Sequence, residues 1–497
     1  MAEFVLGIDI GTASSKAVMA SLGGDVIAVE VVEHETQRPR PGWVEQDADA
    51  VWWADVCALS RRMTTRFPAA SIGAVCVSGI GPTALVAGAD GAPLRPAVLY
   101  GVDTRAVGQA AALSSLLGED EVLARCGSRL SSQSAGPKLA WIRENEPDVW
   151  ARTRYFFMAN GYVVYRLTGE YVLDHHSANQ AQPLYDRVRG EWIPEWADAV
   201  APGLALPSLR WPTDIAGEVT AEAAAATGLR EGTPVAVGTI DAWAEAESVD
   251  VRRPGDVMIM YGSTMFFIAV TSSPVAHPQL WGTVGQHPGL HTLAGGMASS
   301  GSITGWFRDL TGGRPYPELL AEAAAVPAGS DGLLALPYFD GERTPFADPD
   351  ARGVLAGLSL RHGAGHVYRA LLEATAFGVR HNLAEFAAAG VEAERVVAVG
   401  GGTQGDLWTG IVSSAAGVTQ EVPAVTVGAA YGDAKFAAVA IGAAARDDAW
   451  NGGGVTVAPD PADAAVYDRL FPLYRELHER TVEVQHVLAR GGVGGGG

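Results

Sequence analysis

The chain has 497 residues, of which 48% are hydrophobic and 18% charged, a composition typical of a well-packed globular protein with two large domains. Its net charge of −21 disfavours nucleic acid and anionic membranes as partners, so any anion site must create positive potential locally. We predict a cytoplasmic protein without membrane segments. The three cysteines lack metal-ligand spacing, and the sequence has neither a signal-peptide pattern nor an apolar stretch of about 18 residues.

The first half begins with β structure and continues with alternating helices and strands. Residues 3–32 contain three short β-branched segments separated by turns, FVLGIDI, SKAVMA and DVIAVEVV. Asp47 is placed to cap a helix through DADAVWWADVCALSRRM, and IGAVCVSGI follows as a buried strand. This order predicts an α/β fold.

The second half repeats the plan. TPVAVGTI predicts a strand leading to a helix from about Asp241, and GDVMIMYGSTMFFIAV predicts a hairpin. The clearest helix is GHVYRALLEATAFGVRHNLAEFAAAG, whose inward residues recur every four positions until Gly390 ends it. We predict an N-terminal domain over residues 1–243, a C-terminal domain over 244–490 and a flexible glycine-rich tail over 491–497.

Two matched hairpins stand about half a sequence apart, and each has a tip of small polar residues. The first carries Asp9, Gly11, Thr12, Ser14 and Ser15, and the second carries Gly262, Ser263 and Thr264. Backbone N–H groups and hydroxyls at such tips can surround an anionic phosphate with little steric hindrance. The pair predicts two lobes that close on the phosphates of one nucleotide.

An ordered series of motifs resembles the FGGY carbohydrate kinases of the actin-like ATPase superfamily. Its N-terminal members are DIGTASSKAV, GWVEQD, PLRPAVLYGVDTRA, GPKLAWIRENEP and YRLTGEY, and its more specific C-terminal members are GVLAGLSLRHGAGHVYRALLEATAFG and VGGGTQGDLWTGIVSSAAGVTQEVP. The resemblance implies two actin-like (ribonuclease H-like) domains with a nucleotide and sugar cleft between them. It implies ATP and Mg²⁺ as cofactors, a ketose (xylulose or ribulose) or polyol as substrate, and a homodimer, since such relatives are commonly dimers.

Two aspartates are the candidates for chemistry. Asp9 follows an apolar strand, where a carboxylate can hold Mg²⁺ against nucleotide phosphates; the alternative is a turn aspartate that satisfies nearby N–H groups. Asp241 stands after a buried strand at a helix start, where the resemblance implies the general base for the attacking hydroxyl. An ordinary helix cap is its alternative.

The remaining nucleotide contacts are implied by the same resemblance. They comprise the first hairpin, the second hairpin, a loop that passes the nucleotide, and a turn and helix start at the ribose and base: Thr12, Ser14, Ser15 and Lys16; Gly262, Ser263 and Thr264; Gly301 and Gly305; Gly401, Gly402, Thr403 and Asp406. Lys16 could equally face solvent, and the glycines could serve only tight packing between strand and helix. Trp306 and Trp408 are predicted to be core residues.

The substrate region is where the chain departs from the family. Xylulose kinases of this type carry Gln-Met-His after the VSG strand, whereas Gly81, Pro82 and Thr83 stand here. Asp103, oriented by Arg105, is predicted to bind substrate hydroxyls, and a structural Asp–Arg turn is the alternative. A sugar kinase is the leading interpretation. An actin-like ATPase and a sugar-responsive regulator without kinase activity are the alternatives.

Overall fold

The computed structural model describes residues 2–491, which form two lobes, each built on a mixed β-sheet. The strands up to residue 236 are β1 (Phe4–Ile10), β2 (Ser14–Ser21), β3 (Val26–Glu33), β4 (Glu45–Gln46), β5 (Ile72–Gly79), β6 (Leu85–Ala87), β7 (Ala97–Val98), β8 (Tyr155–Phe157), β9 (Val172–Asp174), β10 (Tyr185–Asp186), β11 (Glu191–Trp192), β12 (Ser208–Arg210), β13 (Ile215–Glu218) and β14 (Pro234–Ala236). Those of the second half are β15 (Asp256–Tyr261), β16 (Met265–Thr271), β17 (Trp281–Val284), β18 (His291–Met297), β19 (Leu334–Leu336), β20 (Val354–Ala356), β21 (Arg395–Val399), β22 (Gln420–Pro423) and β23 (Gly454–Val457).

The α-helices alternate with these strands. In chain order they are α1 (Ala54–Arg66), α2 (Val107–Leu117), α3 (Glu119–Cys126), α4 (Ala135–Asn145), α5 (Pro147–Trp150), α6 (Ala159–Thr168), α7 (His175–Gln180), α8 (Pro194–Val200), α9 (Ala221–Thr227), α10 (Asp241–Ser248), α11 (Gly301–Leu310), α12 (Tyr316–Ala324), α13 (Ala364–Ala388), α14 (Asp406–Ala416), α15 (Ala429–Ala440) and α16 (Pro461–Ala489). Asp47 caps the helical turn Ala48–Trp53 that leads into α1, because its carboxylate accepts from two backbone amides, as predicted.

The N-terminal lobe contains a sheet of strand order β13-β14-β5-β1-β2-β3. Strands β1 and β2 pair antiparallel and place Asp9 opposite Lys16, while β1 and β5 run parallel. The apolar residues of β1, β5, α1 and α6 form the core of this lobe.

The C-terminal lobe contains a sheet of strand order β17-β18-β16-β15-β21-β22-β23. Strands β15 and β16 form the second predicted hairpin, and β15 runs parallel to β21. Helix α13 covers this sheet and ends where Gly390 adopts a φ of +81°, as the sequence predicted. Two sheets flanked by helices, with a hairpin at the edge of the cleft in each lobe, confirm the predicted two-domain α/β fold.

Helices α10 and α15 cross where the two lobes meet, and small residues bring them together. A Cβ on Gly432 of α15 would lie 1.9 Å from the carbonyl oxygen of Ala244 in α10. A Cβ on Gly7 of β1 would lie 2.0 Å from the carbonyl oxygen of Ala430. Since both approaches are shorter than any real Cβ contact, glycine is required for this crossing.

Two predictions concern the domain division and the C-terminal tail. The proposed domain division after residue 243 falls inside α10 and remains a prediction. Of the predicted tail, residues 492–497 lie outside the described residues, and Gly491 is exposed. Within residues 2–491, no helix combines the length and apolar character that a membrane span requires.

Candidate active site

A cavity of about 320 Å³ lies between the two lobes. Its walls combine acids, amides, hydroxyls and aromatic rings from segments far apart in the chain: Asp9, Gly81, Pro82, Tyr100, Ser128, Ser131, Gln133, Gln180, Gln182, Ile240, Asp241, Ala242, Trp243, Glu245, Met260, Thr264, Phe266, Trp281, Arg343 and Ala429. Both predicted aspartates are on this wall. The cleft between two lobes, expected from the paired hairpins, therefore holds the candidate chemistry.

Asp241 reaches the cavity because α10 begins there, directly after the turn that follows β14. Gly238 makes that turn with a φ of +67°, and a Cβ there would lie 2.0 Å from the carbonyl oxygen of Val77. The Asp241 carboxylate accepts a hydrogen bond from the amide of Ala242 at 2.8 Å. Burial, with the nearby charge of Asp9, raises the pKa of Asp241 well above its ordinary value.

Asp9 lies at the cavity end of β1. The Ser78 hydroxyl lies 3.2 Å from Asp9 Oδ1 but only 2.6 Å from Asp433 Oδ2, so its single proton is donated mainly to Asp433. Burial raises the pKa of Asp9 to about 6, although Lys16 and Ser78 oppose the shift. Asp9 is therefore a carboxylate with little hydrogen-bonding compensation, and a nearby cation would stabilise its charged form.

Two further acids belong to this region, and the sequence analysis did not name them as site residues. Glu245 lines the cavity one helical turn after Asp241, and burial together with Asp9 raises its pKa to about 7. Asp433 is buried in α15, where burial is the main cause of a strongly raised pKa. The i,i+4 spacing from Asp241 was a signal for Glu245, because such residues share a helix face. The signal for Asp433 was its place in VGAAYGDA, a segment that resembles part of the family's adenosine site.

The acid group fits a magnesium–nucleotide complex. Carboxylate oxygens are the ligands that Mg²⁺ prefers, and one or two of them usually suffice when phosphate oxygens complete the coordination. Within residues 2–491, no set of three or more histidines, cysteines, aspartates or glutamates is arranged to hold a metal by itself. The donors present therefore suit a cation that arrives with phosphates.

The first hairpin closes with the Gly11 amide donating to the carbonyl of Ser14 at 3.0 Å. Its tip carbonyls are held from behind, since the carbonyl of Thr12 accepts from Gln46 Nε2 at 3.0 Å and from the Thr36 hydroxyl at 2.5 Å. The Thr12 hydroxyl lies 3.1 Å from that of Tyr100, a cavity residue. The hairpin is thus held rigid and connected to the cavity wall.

The other predicted residues of this hairpin differ in the direction of their side chains and in their contacts. Ser14 lies at the start of β2 and is half-buried. Ser15 points to the opposite face of the strand, where its buried hydroxyl donates to Asp55 at 2.7 Å, away from the cavity. Lys16 crosses to the other lobe, and its Nζ donates to the carbonyl of Val427 at 2.6 Å. Lys16 therefore links the lobes rather than facing solvent.

Histidine 34 supports the same hairpin. Its Nδ1 lies 2.7 Å from Asp55 Oδ2, and its Nε2 lies 3.1 Å from the carbonyl oxygen of Gly11. Burial lowers the pKa of His34, but the hydrogen bond and charge of Asp55, together with the carbonyls of Gly11 and Thr12, raise the pKa overall. Gln46 Nε2 also lies 3.2 Å from His34 Nε2, but the carboxylate and the carbonyl are the closer partners of the two ring nitrogens, and the imidazolium form satisfies both.

The second hairpin tip is half open to the cleft. The Gly262 amide donates to the carbonyl of Thr264 at 3.1 Å, Ser263 is exposed, and Thr264 lines the cavity. Gly301, the first residue of α11, donates to the carbonyl of Gly262 at 2.9 Å, where a Cβ would approach to 2.5 Å. Gly305 follows one turn later in α11.

The predicted adenosine residues lie beside this hairpin. Gly401, Gly402 and Thr403 form a short helical turn after β21, and Asp406 begins α14 with its side chain exposed. A Cβ on Gly402 would lie 2.7 Å from the ring of Trp408, so this glycine serves packing, whereas nothing lies within 4 Å of one on Gly401.

The two tryptophans differ. Trp408 is a core residue, as predicted, with 6% exposure and its indole N–H donating to the Thr375 hydroxyl. The prediction for Trp306 was wrong, since 46% of it is exposed. Helix α11 buries Ile303 and Phe307 and directs Trp306 to its outer side, over Phe339.

Some of the predicted substrate residues line the cavity, and others are buried behind it. Gly81 and Pro82 line the cavity. The Thr83 hydroxyl is buried behind them and accepts from the amide of Ala159 at 3.1 Å. Asp103 is fully buried in a bidentate pair with Arg105 and also accepts from the amide of Val44 at 2.6 Å. The structural Asp–Arg turn describes its contacts.

Several cavity residues come from segments to which the sequence analysis assigned no substrate contact. Gln133, Gln182 and Tyr100 come from the N-terminal lobe, and Arg343 and Trp281 come from the C-terminal lobe. They supply amide, hydroxyl and guanidinium groups, which can hydrogen-bond a polyhydroxy compound. Tyr100 stands in the quoted segment PLRPAVLYGVDTRA, but the sequence analysis assigned none of these residues a substrate contact, because only the tertiary fold brings their segments to one wall.

Comparisons with known proteins agree with this architecture. Residues 4–246 match the N-terminal domain of the FGGY family of carbohydrate kinases, and residues 257–441 match its C-terminal domain. The chain is 27% identical to a xylulose kinase of Escherichia coli over 88% of this chain and 90% of that one, and 31% identical to a glycerol kinase of Nocardia farcinica over 89% and 91%. The crystal structure of a xylulose kinase from Rhodospirillum rubrum superposes with a TM-score of 0.89 at 34% identity, covering 97% of this chain and 100% of that one.

The family matches cover both lobes, and the relatives align along nearly their whole length. These matches agree with the two-lobe fold, the paired hairpins and the acidic residues of the cavity between the lobes. The chain belongs to the FGGY family of carbohydrate kinases, enzymes that transfer a phosphoryl group from ATP to small-molecule sugar substrates.

Proposed function

We propose that this kinase transfers the γ-phosphate of ATP to a primary hydroxyl of a ketose, with a pentulose such as xylulose or ribulose, or a related polyol, as substrate. The observation that carries the proposal is the meeting of Asp9 and Asp241 on one cavity wall between the lobes. One carboxylate is available to bind a cation, and the other is available to accept a proton.

Asp241 acts as the general base. The substrate hydroxyl oxygen attacks the γ-phosphorus, the bond from that phosphorus to the bridging oxygen of ADP breaks, and the hydroxyl proton passes to the Asp241 carboxylate. Burial and Asp9 raise the pKa of Asp241, and this makes its carboxylate a stronger base than an exposed aspartate.

Asp9 would hold Mg²⁺, which supplies positive charge that offsets the phosphates when bound. The hydroxyls and the remaining amides of the hairpin tips at Thr12–Ala13 and Ser263–Thr264 would bind the phosphate oxygens from the two lobes. Because the hairpins belong to different lobes, closure around both substrates excludes water, which would otherwise hydrolyse ATP.

The substrate class rests on the cavity and on the relatives together. The relatives include a xylulose kinase and a glycerol kinase at similar identity, so overall identity does not select one sugar. Gly81 and Pro82 leave a small, weakly polar surface, whereas Gln133, whose Oε1 accepts from the Gly101 amide, offers its side-chain nitrogen to hydroxyls. This combination suits a compact polyhydroxy substrate.

The test is ADP release with Mg-ATP against ketopentoses, ketohexoses, pentitols, tetritols and glycerol. Asp241→Asn should reduce turnover about 10²- to 10⁴-fold, the usual contribution of a general base. Asp198→Asn, which makes the same change on the exposed surface of α8, is the matched control and should keep full activity. Full sugar-dependent turnover in Asp241→Asn would refute the role of Asp241. ADP release that no sugar stimulates would favour the ATPase or regulator alternatives.

A further inference from the structure

Arg343 lines the cavity from the C-terminal lobe, and its backbone is firmly held. The next residue, Thr344, accepts from the Gly296 amide at 2.8 Å and donates to Asn382 Oδ1 at 2.6 Å, which ties the segment to β18 and α13. The Arg343 Nη2 donates to the carbonyl of Met297 at 2.8 Å. The guanidinium is thus presented to the cavity by rigid elements.

The Arg343 guanidinium has no counter-ion. Within residues 2–491, no carboxylate lies within 4.0 Å of its nitrogens, and its buried Nε has no hydrogen-bond partner. The charge of the adjacent Glu342 acts on the pKa of Arg343, but Glu342 makes no ion pair with the guanidinium, and its Oε1 accepts from the amides of Ala298 and Arg343 at 2.8 Å. A buried guanidinium with free donors is unfavourable unless a ligand supplies acceptors.

Asp241 and Arg343 line the same cavity, and Arg343 enters it from the C-terminal lobe. Its guanidinium carbon lies 5.9 Å from the centre of the Trp281 ring. A substrate that fills this cavity and offers one hydroxyl to Asp241 can therefore offer another oxygen to Arg343.

We propose that Arg343 determines specificity by donating hydrogen bonds to an sp² oxygen, a ketone carbonyl or a carboxylate, of the substrate whose hydroxyl is offered to Asp241. Such an oxygen only accepts hydrogen bonds, and a guanidinium only donates them, so the two match without a further partner. A hydroxyl at that position would bring a proton that Arg343 cannot accept. This inference rests on the proposed sugar kinase function and narrows its substrate to ketoses or aldonates over polyols.

The test measures binding without nucleotide, by calorimetry, for a ketopentose, a five-carbon aldonate and a pentitol of matched configuration. The variants are Arg343→Met and Arg343→Lys, and Arg152→Met changes an exposed arginine as the control. We expect roughly 10- to 100-fold weaker binding of the ketose or the aldonate to Arg343→Met, the usual effect of losing a charged hydrogen bond. Arg343→Lys should bind with intermediate affinity, while pentitol binding and the KM for ATP should not change.

Comparing the binding of the ketose with that of the aldonate shows whether Arg343 binds a ketone carbonyl or a carboxylate. Equal binding of the pentitol and the ketose to the unaltered protein would overturn the inference, as would equal losses for all three ligands in Arg343→Met. Binding is measured without ATP, so the Arg343 result can be interpreted even if the separate turnover assay shows no ADP release. That lack of ADP release would count against the kinase proposal. Unfolding curves of both variants establish that they fold.

Discussion

Replacing Glu245 with glutamine should stabilise the protein at alkaline pH and leave it nearly unchanged at acidic pH. Burial and Asp9 raise the pKa of Glu245 from 4.5 to about 7. At 1.36 kcal/mol per pKa unit, this shift corresponds to about 3 kcal/mol of folding free energy. Glutamine has nearly the same shape without the charge, so the variant lacks this penalty.

The sign follows from linkage. With a folded-state pKa above the unfolded value, the side chain imposes no penalty below pH 4.5, where both states are protonated. The penalty grows as pH rises from 4.5 to about 7 and is complete above that. Glu245→Gln should therefore be about 3 kcal/mol more stable than the unaltered protein at pH 8, and less than about 1 kcal/mol more stable at pH 5.

The assay is urea unfolding followed by tryptophan fluorescence at both pH values, with EDTA and without nucleotide. Glu483→Gln is the matched control, because Glu483 is exposed on α16 and loses the same charge. A midpoint difference that is equal at pH 5 and pH 8 would refute the reasoning. An equal effect in Glu483→Gln would refute it too, since the cause would then be net charge rather than burial.

Two further outcomes are expected. Gly432→Ala should force α10 and α15 apart, because its Cβ would lie 1.9 Å from the Ala244 carbonyl oxygen. The variant should therefore unfold at a lower temperature and have a lower kcat/KM. The control is Gly410→Ala in α14, where no atom lies within 4 Å of the added Cβ, and it should unfold at the same temperature or higher. For His34, a raised pKa means that its contacts are complete below the ordinary value of 6.5 and are lost as pH rises through the folded-state pKa. Measured as a function of pH, the KM for ATP should rise over that interval. His34→Gln should raise the KM for ATP about tenfold and remove its pH dependence. The same pH dependence in His34→Gln as in the unaltered protein would contradict the imidazolium assignment.

The sequence alone determined the features that depend on local patterns. Helix α13 was predictable because its inward residues recur every four positions and Gly390 can adopt the positive φ that ends it. The hairpin tips at Gly11 and Gly262 were predictable because glycine and small polar residues interrupt two β-branched strands. Asp9 and Asp241 were identified by the motifs around them, and the fold brings both to one cavity.

The tertiary structure decided which face each side chain presents and which distant loops meet. Strand alternation predicts that Ser14 and Ser15 point to opposite faces but not which face borders the cleft, and Ser15 turned to Asp55. Asp103 became the partner of Arg105, since a buried carboxylate requires a compensating charge. Glu245 and Arg343 acquired their raised and lowered pKa values from burial between the lobes. Burial of this kind depends on the packing of segments far apart in the chain, and local sequence patterns do not contain that information.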